Sequence, residues 1–193
     1  MSFVTGTNVE LIYASTAAGT AKASFTSEVA INDTAGMGAQ AFLPAGFFLP
    51  GRIGQGLRIK ASGILSSTAT PTYTFTVRLG AAGSTTAAIV LGTAALTTQS
   101  GITNKKWTLE GDVLLRTNLT GANSTAYGDG WLTSPAGLAS PFIYEAWGGA
   151  AQPGTVATVD PTITNYVNVN ATCSASSSSN SIQLLSLEVW GKN

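Results

Sequence analysis

The stretch Gln55-Gly56-Leu57-Arg58-Ile59-Lys60-Ala61-Ser62-Gly63-Ile64-Leu65, followed after Ser66-Ser67-Thr68-Ala69-Thr70-Pro71 by Thr72-Tyr73-Thr74-Phe75-Thr76-Val77-Arg78-Leu79, decides the fold class. Leu57, Ile59, Ala61, Gly63 and Leu65 fall on one side of an extended chain, and Arg58, Lys60, Ser62 and Ser66 on the other. Beyond the loop around Pro71, Tyr73, Phe75, Val77 and Leu79 alternate in the same way with Thr72, Thr74, Thr76 and Arg78. This is period-two patterning in β-branched and aromatic residues, interrupted by a turn-forming loop. It predicts two neighbouring antiparallel strands.

The same signal recurs on both sides. Residues 107–117 place Trp107, Leu109, Gly111, Val113 and Leu115 on one face and Thr108, Glu110, Asp112, Leu114 and Arg116 on the other. Residues 9–14 and 21–31 read as strands, the second bulged near Ser27. Residues 32–38 read as a turn-rich loop. Residues 87–96 form one strand or two short ones broken at Gly92, with Ile89, Leu91 and Leu96 inward. Residues 118–154 are the least regular, with one short strand over 142–147. Residues 163–176 form a long strand with Tyr166, Asn168 and Asn170 outward. A polar hairpin loop over 174–180 leads to the closing strand, 181–190, with Leu185, Leu187 and Val189 inward and Trp190 opposite. About eight to ten strands spaced by Gly, Ser and Pro turns, with no convincing helix, predict an all-β antiparallel sandwich, preferably a jelly-roll. An immunoglobulin-like sandwich is the runner-up and lacks its Cys…Trp…Cys hallmark.

A chain of 193 residues suits one such domain, here 9–193, preceded by an arm over 1–8 whose Phe3 and Val4 can dock on the domain or a neighbour. Charged residues make up only 9%, against roughly 25% in an average soluble chain. Ser, Thr, Ala, Asn and Gly fill the surface instead, which suits a rigid extracellular or virion protein packed against neighbours. Net charge is zero and Lys105-Lys106 is the only adjacent basic pair, so binding of nucleic acid through its phosphates is not expected. No apolar run is long enough for a transmembrane helix, and the start lacks the pattern of a signal peptide, so no membrane partner is expected. Cys173 continues the series Val167, Val169, Ala171 and reads as a buried small apolar group; as the single cysteine it has no intramolecular disulfide partner. The sequons at Asn32, Asn118, Asn123 and Asn170 read as chance matches.

The chain has no histidine, which removes Ser-His-Asp and Cys-His catalysis and histidine metal sites. There is no Gly-x-Ser-x-Gly elbow, phosphate-binding glycine loop or cysteine cluster. Glu110 and Asp112, two apart on one strand face, could with Glu145 serve a glycan-cleaving enzyme. The plainer reading pairs them with Arg58, Lys60 and Arg78 across strands, setting register. A lone Asp129 is no metal site. The expectation is therefore a non-enzymatic protein with no catalytic residues, metal or cofactor. Candidate contact residues lie in two apolar segments. Phe42 precedes Pro44, and Phe47, Phe48 and Leu49 lie between Pro44 and Pro50, either capping one end of the sandwich or exposed to a subunit. Trp131, Tyr144 and Trp147 could anchor a protein interface or stack on a sugar. Phe3 in the arm completes the set.

Three elements carry a family resemblance: Gly56-Leu57-Arg58-Ile59-Lys60-Ala61-Ser62-Gly63, Thr70 to Gly80, and Trp107-Thr108-Leu109-Glu110-Gly111-Asp112-Val113. Val167-Asn168-Val169-Asn170-Ala171-Thr172-Cys173 adds to it in the C-terminal half, so that it spans residues 50–190. In these strand patterns the chain resembles virion structural proteins of tailed bacteriophages. The resemblance implies a β-rich capsid decoration (cement) protein on the virion surface, or a minor tail or fibre protein. Its implied partners are the major capsid protein and copies of itself, with a homotrimer favoured, bridging capsomers at symmetry axes. The alternative is a tail-associated receptor- or carbohydrate-binding module.

Overall fold

The computed structural model describes residues 9–48, 54–81, 85–117, 121, 123–140, 144–147 (backbone only) and 156–192. Phe3 and Leu49 lie outside the described residues. The fold is an all-β antiparallel sandwich. Its elements in chain order begin with β1 (Val9–Ala14), β2 (Lys22–Ala23), β3 (Val29–Ala30), the single helical turn α1 (Thr34–Met37) and β4 (Phe42–Leu43). The two decisive strands follow as β5 (Gly56–Ser67) and β6 (Thr72–Gly80), then β7 (Ala88–Gly92), β8 (Leu96–Thr97) and β9 (Ile102–Thr117). The remainder is β10 (Ser124–Thr133), β11 (Tyr144–Trp147), β12 (Ala157–Val159), β13 (Asn165–Cys173) and β14 (Ser181–Lys192).

One sheet runs β1-β14-β5-β9-β10 and the other β7-β6-β13-β3, with β11 joining β10 to β7 at one side. β4 extends the β3 edge of β13, and β2 extends the β1 edge of β14. This interleaving of first with last strands in one sheet, and early with late strands in the other, is the two-Greek-key order of a jelly-roll. Between the sheets lies one core that includes Trp107, Tyr73, Phe75, Leu57, Ile59, Leu109 and Leu187, all essentially inaccessible.

β5 and β6 are strands with the faces the alternation predicts, but they are not partners. β5 pairs with β14 and β9, and β6 with β13 and β7. Residues 68–71 therefore cross from one sheet to the other, and the apolar rows of the two strands meet face to face across the core. Period-two patterning reports which face is buried; it is silent on whether the next strand lies beside or opposite. The same correction applies at 174–180, an arch between sheets and not a hairpin. Asn180 braces it, donating from Nδ2 to Ala175 O at 3.1 Å.

Other expectations also shift. The strand expected over 21–31 shrinks to β2 and β3, because Ser24 takes a positive φ of 57° and the chain leaves the β14 edge for the β13 edge. The loop at 32–38 contains α1, whose N-cap Asp33 accepts from the Gly36 N–H at 2.9 Å. In β14 a bulge lies between Leu184 and Ser186, so Leu184 is buried and Leu185, expected inward, is 43% exposed. Another, in the β6–β7 pairing, leaves Val90 and Leu91 buried and Ile89 only half-buried.

The largest omission from the sequence reading is β10. Its inward row is Ser124, Ala126, Gly128, Gly130 and Leu132, all buried. The period of two is present, written in residues too small to register as hydrophobic. Their size has a cause: a Cβ at Gly128 would collide with the Val90 carbonyl, and one at Gly130 with the Glu110 carbonyl. Sheet and neighbouring backbone approach here closely enough that only glycine fits.

Candidate functional site

The predicted contact residues separate. Phe48 is buried and Phe47 half-buried, their rings edge-to-face at 5.1 Å, so both belong to the packing at one end of the sandwich. Phe42 alone of the described members of that segment stays outside, 52% exposed, its ring 6.1 Å from Tyr166 on the strand beside it. Tyr144 and Trp147 are described by backbone only. They pair with Leu132 and Asp129 of β10, and Trp147 also pairs with Gly92. Trp131, expected in an irregular loop, stands mid-strand on β10 with 44% of its surface exposed.

Trp131 belongs to the outer face of the larger sheet, and that face is unlike the rest of the molecule. Among the described residues, nine of the chain's eighteen charged side chains (nine basic, nine acidic) lie on it, Lys106 and Arg116 included. One row of register partners across the strands reads Glu188, Lys60, Glu110, Trp131; the next reads Trp190, Arg58, Asp112, Asp129. Direct partners in such rows have Cβ atoms about 5 Å apart. Arg58 grips Asp112 with two hydrogen bonds, Nε to Oδ1 at 2.9 Å and Nη2 to Oδ2 at 3.0 Å. Lys192, from the last residues of β14, adds a third at 2.9 Å to Oδ2. Lys60 and Glu110 are 3.5 Å apart. The Arg58 fork, with Lys192 beside it, holds the Asp112 carboxyl below its ordinary range against the opposing effect of burial.

Asp129 is exposed and has no hydrogen-bond or ion-pair partner among the described residues, although it lies directly across from Asp112. Like charges opposite one another oppose strand pairing. A depression of about 100 Å³ opens here, lined by Arg58, Glu110, Asp112, Asp129 and Trp131. Trp190 stands at the far end of the strip, three strand spacings or about 14 Å away across the sheet. Its indole donates to Glu188 Oε2 at 3.3 Å.

Arg78 does not join this strip. On the outer face of the other sheet it meets Glu28, donating from Nε to Oε1 at 2.8 Å and from Nη2 to Oε2 at 2.7 Å. Thr76 Oγ1 and Asn170 Nδ2 also donate to Glu28. Asn168 and Asn170, which the alternation points outward, do lie on that face, yet both are fully buried because the 24–43 segment folds over them. Burial raises the Glu28 carboxyl, but hydrogen bonds from Arg78, Thr76 and Asn170 outweigh it and leave the group below its ordinary value. Asn32 completes the cover: Nδ2 donates to Val167 O at 2.8 Å and Oδ1 accepts from Val169 N at 3.0 Å. Its side chain replaces a strand's peptide where α1 interrupts the edge. The sequons at Asn32 and Asn170 are thus buried structural amides. Sequence reasoning missed Glu28 and Asn32 because their partners are up to 142 residues away.

Two larger depressions, of about 420 and 460 Å³, are open and lined by Ser, Thr, Ala, Gly, Leu and Ile, with no titratable side chain. Among the described residues, no cluster of three or more Asp, Glu or Cys has metal-binding geometry. Cys173 is buried, its thiol donating to Ala175 O at 3.3 Å. Comparison with protein-family models, with curated proteins and with solved structures finds no match.

Proposed function

We propose that the chain is a non-enzymatic structural protein of a tailed-phage virion: a capsid decoration protein that binds the major capsid protein and its own copies, a trimer being the favoured assembly. The strand-pattern resemblance supplies the family; the observation that carries the binding role is the disposition of the titratable groups. Two carboxylates of the charged strip, Glu110 and Asp112, the pair that could have done acid/base work, are engaged by Lys60, Arg58 and Lys192. A general acid needs a carboxyl held above its ordinary value, and Asp112 is held below it. The depressions of about 420 and 460 Å³ are lined by hydroxyl-bearing and apolar residues, with no titratable side chain. Such a surface suits docking on a rigid neighbour better than turnover. Phe42, raised on the edge strand β4 against Tyr166, is the apolar anchor this reading places against capsid or sister subunit.

The experiment compares phage particles with and without the protein. The expected result is that decorated particles resist heat better and that the protein is visible on the capsid surface in micrographs. Phe42→Ala should lower occupancy while leaving the fold intact. Equal heat resistance, with the protein absent from the head, would sink the proposal.

A further inference from the structure

We propose that the outer face of the larger sheet carries a saccharide subsite, centred on Trp131 and formed with Glu110, Asp129, Asp112 and Arg58, for a neutral hexopyranose. The proposal goes beyond the virion role and does not depend on it.

Four observations converge. The Trp131 indole is 44% exposed on a strand, where a rigid scaffold holds it and burial in the core does not explain it. The electron-rich face of an indole attracts polarised C–H groups, which a pyranose presents on one side of its ring. The other side of such a ring presents hydroxyls, and these need charged acceptors and donors. Glu110 is the direct cross-strand neighbour of Trp131, and Asp129 lies two residues along the same strand and face. Asp129 keeps its acceptor oxygens free among the described residues, whereas Asp112 spends its own on Arg58 and Lys192. That Asp112–Arg58 fork is thereby fixed in place, a preorganised wall to the depression that these residues line.

The arrangement also goes against the local rules of sheet stability. Asp129 opposite Asp112 is a like-charge pair, in a chain that uses charge sparingly. Violations of this kind concentrate where a site requires them. The charge balance selects the ligand class. Lys60 neutralises Glu110 and Arg58 with Lys192 neutralises Asp112, so the uncompensated charge in the depression is Asp129, which welcomes hydroxyl donors and repels an anionic sugar set beside it.

The test uses saturation-transfer NMR on the intact chain with D-glucose, D-galactose, D-mannose and N-acetyl-D-glucosamine as probes, and D-glucuronate as the anionic counterpart. At least one neutral sugar should bind in the millimolar range, with transfer concentrated on the C–H protons of one ring face. Glucuronate should bind at least about tenfold more weakly. Trp131→Ala should abolish the signal, and Asp129→Asn should weaken it by about tenfold while narrowing the gap to glucuronate. Both side chains project from the outer face, so neither change empties the core, and amide spectra verify the fold of each variant. Phe42→Ala, on the opposite sheet, should change nothing. The proposal is overturned if none of the four neutral sugars binds, if binding survives Trp131→Ala, or if glucuronate binds as well as they do. Capsid occupancy of the same variants reports on the decoration role separately.

Discussion

Glu28 sits in a segment that strand patterning assigns to a bulged strand, and it turns out to tie the cover of one sheet to the sheet beneath. Its side chain and that of Arg78 are only 19% and 14% accessible. Removing one partner of a largely buried pair leaves the other charge uncompensated. Glu28→Ala should therefore cost about 3 kcal/mol, read as a fall in the urea midpoint. The pH dependence has the same origin. Glu28 and Asp112 lie below their ordinary values, and Asp33 is held down to about 2: burial pushes it up, and Lys22, the Gly36 N–H and Thr20 outweigh that. A carboxyl with a lowered folded pKa adds stability that is complete above its unfolded value, about 4, and is lost as pH falls through the folded one. The urea midpoint should thus stay flat from neutral pH to about pH 5 and drop between about pH 4 and 2. Glu28→Gln should flatten part of that drop. An unchanged acid limb in the variant would remove Glu28 from the account.

At the scale of elements, the informative failures are places where alternation slips or hides. The bulge in β14 moves the buried position from Leu185 to Leu184, then restores the inward row at Leu187 and Val189. Leu184→Ala should lose about 3 kcal/mol, as expected for a methylene-rich side chain removed from a packed core. Leu185→Ala should stay within about 0.5 kcal/mol. Chemical denaturation of the two variants side by side checks this, and equal losses would contradict the bulge. β10 shows the opposite situation: its pattern is regular but glycine-rich, because Gly128 and Gly130 lie against the carbonyls of Val90 and Glu110. A reader of hydropathy sees a loop there. With β10 unrecognised, Trp131 could be singled out as an aromatic, but its alignment with Glu110 and Arg58 was not available.

At the scale of the whole molecule, one continuous core joins both sheets, and the strands within residues 9–43 lie along the edges of the last two strands, β14 and β13. The termini of the fold are thereby interlocked. Unfolding in urea should be a single transition, coincident by tryptophan fluorescence and far-ultraviolet circular dichroism. Refolding should take milliseconds to seconds or longer, because pairings such as β1 with β14 must close nearly the full length of chain. Stopped-flow fluorescence checks the rate, and separate transitions for the two sheets would contradict the single core. The sequence by itself determined the strand faces of β5, β6 and β9, the all-β class and the burial of Cys173. These follow from a side-chain period of two, a local property. Only the tertiary structure decided that β5 and β6 face each other across the core, that Glu28 holds Arg78, and that Trp131 stands beside a fixed Arg58–Asp112 fork. Those depend on which strands become neighbours, a choice made by the sum of packing over the whole core, and no window of the sequence contains it.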